Sequence, residues 1–149
     1  MRLEFRNVHF DGEIRTKSDV LLRIVGDFAL RVGGRVVYRE VEFCLVEFAV
    51  ALAEWLVVAT DLRPDFAYTS LESEVEGLIR FTPVGPGNWR VSAAHQEQQV
   101  EDLLATAELK NAALTYIRDL RTELQPKWDI VQYVEDEKVR ETLQQKLSQ

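Results

Sequence analysis

Between Leu22 and Leu56 the hydrophobic period of the chain switches from two to nearly four. Leu22, Ile24, Phe28, Leu30 and Val32 share one parity, the period of a half-buried strand. Gly33-Gly34 then marks a tight reversal, and Val37, Val41 and Phe43 begin a second alternation. After Phe43 the spacing becomes helical: Leu45, Phe48, Ala49, Leu52, Trp55 and Leu56 fall on one stripe. A hairpin that feeds an amphipathic helix over 44–58 is the prediction. It constrains the scaffold and leaves the chemistry open.

The flanking segments extend this reading. Leu3 and Phe5 alternate on one parity and Val8 and Phe10 on the other, which calls for a bulge near Asn7. Asp11-Gly12 is a hairpin signal, Glu13 to Ser18 reads as an exposed edge, and Val20 to Val32 as one long strand bent at Gly26-Asp27. The Asp61–Pro64 segment reads as a connector. Phe66 and Tyr68 begin a further strand. Ile79 and Phe81 are matched to Trp89, Val91 and Ala93 across a Pro- and Gly-rich loop. From Gln96 the pattern is helical. Val100, Leu103, Leu104, Ala107, Leu114, Ile117 and Leu124 suggest a helix over 97–124, about 40 Å long at 1.5 Å per residue. Pro126 stops it. One or two further helices are expected between Lys127 and Leu147, with Glu135-Asp136-Glu137 as a break. The expected fold is α+β in a single domain, 1–149. An antiparallel sheet of five to seven strands and the helix 44–58 occupy 1–95, and a helical extension occupies 96–149.

At 149 residues one domain is the default. The formal net charge is −7 and is spread along the chain: 11 basic and 14 acidic residues through Gln96, 7 and 11 after it. With no basic patch a nucleic-acid ligand is disfavoured, whereas a basic protein partner suits the charge. Cys44 is the only cysteine, so no intrachain disulfide can form. It sits among apolar residues and reads as buried and inert. The N-terminal residues carry no apolar signal-peptide core, and the most apolar window, Val41 to Ala59, contains Glu42, Glu47 and Glu54. The expectation is a cytoplasmic protein with no membrane span.

Only His9 and His95 offer imidazoles, and neither has a partner at metal-ligand spacing, so no metal and no cofactor are expected. Gly85-x-Gly87 precedes a strand and lacks the phosphate-binding lysine. Glu40 and Glu42 share a parity compatible with an acid–base pair, and a solvated face explains them as well. No catalytic residue is singled out. The densest acidic run is Glu72, Glu74 and Glu76, placed at a turn where side chains can project to a partner. Trp128 and Tyr133 follow a helix breaker in polar surroundings and are the aromatic candidates for partner contact, capping of the core being the other reading.

The stretches Phe28–Phe43, Val46–Trp55, Glu76–Arg80 and Trp89–Gln96 together resemble small bacterial proteins of the immunity type, which protect against polymorphic toxins. The resemblance covers roughly residues 20 to 96 and rests on turns and core positions. It implies a protein-binding module that inhibits a cognate toxin and supplies no catalytic residue. Two other readings stay open. One is a carboxylate-dependent enzyme, with His95 in a cleft of the sheet. The other is a structural protein that forms a homodimer along 97–124.

Overall fold

The computed structural model describes residues 1–57, 65–73 and 75–149, so Val58, the Asp61–Pro64 connector and Glu74 lie outside the described residues. The chain is α+β, with four α-helices and two antiparallel sheets among the described residues. Strands β1 (Arg2–Phe10), β2 (Ile24–Val32) and β3 (Arg35–Cys44) form the first sheet, in the order β1-β2-β3. Strands β4 (Phe66–Tyr68), β5 (Ile79–Pro83), β6 (Asn88–Ala93) and β7 (Leu104–Ala105) form the second, in chain order. The single sheet expected from the sequence is thus two. The helix α2 (Leu45–Val57) separates them, and no pairing joins β3 to β4. Thirteen residues of helix span about 19 Å, enough to carry the chain off the first sheet before the next strand begins.

The hairpin ending in α2 forms as its pattern requires. Val32 pairs with Arg35 across Gly33-Gly34, both glycines at positive φ. Ile79 pairs with Ala93, Phe81 with Val91 and Pro83 with Trp89. The N-terminal reading needs correction. Residues 17–23 form helix α1 (Lys17–Arg23), and strand β2 starts only at Ile24. The reason is local: Thr16 and Asp19 make a capping box, the Thr16 hydroxyl accepting from the Asp19 amide at 3.1 Å and Asp19 accepting from the Thr16 amide at 3.0 Å. The Arg15 amide, the Thr16 amide and the Arg23 guanidinium together hold the Asp19 carboxyl down to about 2. Asp11-Gly12 therefore leads into a helical crossover, and no two-residue hairpin forms there.

The three-stranded sheet is irregular at one level on both sides of β2. Asn7 and Glu42 have φ of 55° and 57°, the left-handed region that non-glycine residues rarely adopt. The register shifts between Arg6 and His9 on β1, and opposite Gly26 and Phe28 on β3. Gly26 lies between the two irregularities. A Cβ there would sit 2.8 Å from the Arg6 carbonyl oxygen, so the bulged strand can approach only a glycine.

The helical third is shorter than expected. Leu104 and Ala105 pair with Trp89 and Asn88, and helix α3 starts at Thr106 and runs to Leu124, about 28 Å instead of 40. Upstream, the Glu97 amide donates to the Val37 carbonyl at 2.8 Å, and residues 97–103 are not helical. Leu109, Ala113, Tyr116, Ile117, Leu120 and Leu124 form the buried stripe of α3. Pro126 ends the helix. Beyond it a 3₁₀ turn (Ile130–Tyr133) and helix α4 (Glu137–Leu147) return to the core through Ile130, Val131, Val134 and Leu143. The Arg121 guanidinium ties them down through a fork to Asp129 at 2.9 and 3.0 Å. No helix among the described residues is long and apolar enough to cross a membrane.

One continuous core contains Phe28, Leu30, Phe48, Leu52 and Trp55 together. Leu52 has no solvent exposure. Leu52→Ala should lower unfolding free energy by about 2–5 kcal/mol in a urea titration. A change below about 1 kcal/mol would contradict tight packing around α2.

Candidate functional site

Of the three acidic residues marked in the sequence, Glu72 and Glu76 are described, and both are exposed in the loop between β4 and β5. The loop is built from its own side chains. The Glu72 amide donates to the Ser70 hydroxyl at 3.1 Å, the Val75 amide to the Ser73 hydroxyl at 3.1 Å, and the Gly77 amide to the Thr69 hydroxyl at 2.8 Å. These short-range bonds are what Ser and Thr offer a turn. The Leu78 amide closes the base by donating to the Tyr68 carbonyl at 2.7 Å.

A carboxylate on α2 braces the loop. Glu47 accepts from the Tyr68 phenol at 2.7 Å through one oxygen and from the Leu71 amide at 3.2 Å through the other. Burial, and then the Glu47 charge, push the Tyr68 phenol well above its ordinary range, so it stays a donor. The outcome is at Leu71. Its side chain is 82% exposed, the most exposed large apolar residue described, with Glu72 beside it and Glu76 on the same loop. Leu71 had no place in the sequence reading. Its one signal there was local: a leucine between Ser70 and Glu72, with Thr69 and Ser73 at strand spacing.

Behind the loop lies Cys44, 6% exposed. Burial, then the charge of Glu47, raises its thiol to about 11, and Sγ faces the Leu22 carbonyl at 3.5 Å. The thiol is protonated at neutral pH and unfit as a nucleophile.

Trp128 and Tyr133 are half-buried, pack on the core and line one shallow hollow of about 330 Å³ with Ile14, Val20 and Gln132. Trp128 meets Phe10 edge-on at 4.9 Å, and the Lys127 ammonium lies 4.6 Å from the Trp128 ring centre. The two aromatics share a surface with each other and line no hollow with the acidic loop among those described.

His95 is exposed in the turn after β6. His9 is the imidazole with close partners, 33 residues from one of them. Nδ1 lies 2.7 Å from the Asn7 carbonyl oxygen and Nε2 lies 2.7 Å from Glu42 Oε1. Both ring nitrogens therefore face acceptors, and only the imidazolium can donate to both. The Asn7 carbonyl and then the Glu42 carboxylate raise the His9 pKa, with its slight burial acting the other way. In that form the ring serves as a clamp between the two bulged strands. Among the described residues, no group of three or more His, Cys, Asp or Glu is placed to hold a metal ion.

Residues 2–126 match the family model described as Domain of unknown function (DUF7878). The chain belongs to that family. No curated protein and no solved structure matches it. The match spans β1 through α3 and includes the acidic loop and the His9–Glu42 clamp, whereas Trp128 and Tyr133 fall beyond it.

The clamp makes a titration prediction. A raised folded pKa means that its contribution to stability is complete below the unfolded value of 6.5 and is lost as pH rises through the folded value. Imidazole NMR should show His9 titrating above 6.5, and Glu42→Gln should bring it down. A wild-type His9 titrating at or below 6.5 would contradict the clamp.

Proposed function

We propose that this DUF7878 protein is a non-enzymatic protein-binding module that meets a basic partner with the loop between β4 and β5. The observation that carries this reading is Leu71, an apolar side chain held out at 82% exposure by a braced loop. Burying such a side chain at an interface is worth about 1.5–3 kcal/mol, a contribution forgone in the free protein. Because the loop is already ordered by its own hydrogen bonds, association loses little further conformational entropy. Glu72 and Glu76 place negative charge on the loop that carries Leu71, Glu74 adds a third acidic residue to the same stretch of sequence, and the whole chain carries −7, which steers a basic partner toward it. An immunity-type inhibitor of a basic toxin domain is the member of this class that agrees with the resemblance over residues 20 to 96.

The test begins with a partner captured from the source cells and identified by mass spectrometry. Association is then followed against ionic strength for wild type, Leu71→Asp and the triple variant Glu72→Gln, Glu74→Gln, Glu76→Gln. The triple variant should associate more slowly at low salt and show a weaker salt dependence. Leu71→Asp should raise Kd by about 30-fold or more, the mark of a central anchor worth at least 2 kcal/mol. Both should keep wild-type stability within about 0.5 kcal/mol, since Leu71, Glu72 and Glu76 are on the surface. Low-salt rates equal to wild type in the triple variant would remove the loop from the interface and direct attention to Phe10, Trp128 and Tyr133.

A further inference from the structure

Strand β1 is an edge of the three-stranded sheet, and its outer side is bonded by no backbone group among the described residues. The backbone groups that point away from β2 form a row of free donors and acceptors, a template for another strand. A groove of about 570 Å³ runs beside this edge, between Met1–Phe5 on one side and Glu108, Asn111, Ala112, Thr115 and Asp119 of α3 on the other. A strand added to this edge would lie about 4.8 Å from β1. Leu3 and Phe5 face inward and pack on the core, Phe5 edge-on to Tyr116 at 5.7 Å. Arg2 and Glu4 lie on the opposite face, 3.4 Å apart, with Glu4 also paired to Arg31 at 3.0 Å.

We propose that this edge pairs antiparallel with the β1 edge of a second copy of the chain, with Leu3 on the two-fold axis. The occupant follows from enumerating registers. Residues opposite each other in a continuous sheet must share a face, so the axis must pass through a residue. With Glu4 on the axis, Leu3 meets the partner's Phe5, but Glu4 opposes the partner's Glu4 and Arg2 opposes the partner's Arg6, so every charged pair sets like against like. With Phe5 on the axis, the pairing runs into Asn7, whose φ of 55° breaks the strand. With Leu3 on the axis, Arg2 opposes the partner's Glu4 twice over, Leu3 meets the partner's Leu3, and Met1 meets the partner's Phe5. Opposite charges and apolar contacts directly across a strand pair are the arrangement that stabilises it. This pairing ends at Phe5, before the bulge. A carboxylate accepts several hydrogen bonds, so Glu4 can keep Arg31 while receiving the partner's Arg2. The inference is independent of the acidic-loop reading.

Sedimentation velocity of the whole chain tests it. Wild type should move from monomer to dimer between low and several hundred micromolar, because a contact of one strand pair is small and weak. Arg2→Glu should abolish the shift, as should Glu4→Arg, and the variant carrying both changes should recover it, since the exchanged charges oppose correctly again. Arg2 has 78% of its side chain exposed, so Arg2→Glu leaves the fold intact even if Glu4→Arg, which loses the Arg31 pair, does not. Three results would overturn the proposal. Wild type could stay monomeric throughout. Arg2→Glu could dimerise like wild type. The double variant could be folded by circular dichroism and yet monomeric. A monomeric wild type whose β1 amides were protected from exchange by an added alternating Lys-Val peptide would assign the edge to a foreign strand and count against the second copy.

Discussion

Phe48 is the point at which both sheets and the long helix meet. Its ring lies 5.2 Å from Phe28 and 5.4 Å from Phe43 of the first sheet, 6.1 Å from Phe66 and 5.0 Å from Tyr68 of the second, and 5.3 Å from Tyr116 of α3. Edge-on aromatic pairs add about 0.5–1.5 kcal/mol each beyond the area they bury. The two sheets share no ladder, so this cluster and the rest of α2 are what make them one body. Eight of the thirteen residues of α2 are buried, among them Leu45, Leu52 and Trp55. Trp55 continues the cluster into the second sheet, meeting Phe81 and Trp89 at 5.5 and 5.6 Å.

Polar groups inside this core are few and each has a defined partner. Tyr116 is fully buried, and its phenol donates to the Leu45 carbonyl at 2.9 Å, so α3 is keyed to the first turn of α2 by more than packing. The Trp89 indole donates to the Thr106 hydroxyl at 2.9 Å and marks where the second sheet hands over to α3. Glu47 follows Val46 on the same helix, one residue before Phe48, and its two oxygens reach out to the β4–β5 loop. The exposed tip is therefore anchored to a helix with eight of its thirteen residues buried. A side chain presented from such a base has little freedom to lose on contact.

The elements legible in the sequence were those decided by near neighbours. The alternation through Phe28, Leu30 and Val32, the Gly33-Gly34 turn and the stripe through Phe48, Leu52 and Trp55 depend on nothing distant. The facing of Ile79 and Phe81 with Ala93 and Val91 was fixed by one short loop. Periodicity does not say which strands pair, so a single sheet and two sheets looked alike from the residues. Val20 and Leu22 carry strand parity, yet the Thr16–Asp19 capping box, itself a signal in the sequence, overrides it. Leu104 fits a helical stripe and a strand equally, and its pairing with Trp89 decided the matter. At the site, the acidic run at Glu72 and Glu76 was readable as charge at a turn. The outward leucine was not, because a leucine counts as core until the backbone shows where it points. The His9–Glu42 contact spans 33 residues and two left-handed positions that composition cannot reveal.

The paired irregularities of the first sheet carry a consequence for alignment. Asn7 on one side and Glu42 on the other turn away from regular pairing beside the same stretch of β2, around Gly26. The gap above Gly26 accepts the Arg6 carbonyl because no side chain occupies it. A slip of β1 would bring Val25 or Asp27 under that carbonyl, where a Cβ stands in the way. A slip of β3 would take the left-handed residue away from the place where the ladder is interrupted. Both outer strands are indexed to one glycine, like two gear wheels keyed to a common shaft. The sheet admits one alignment, and a shifted copy of it would forfeit hydrogen bonds on whichever side had moved.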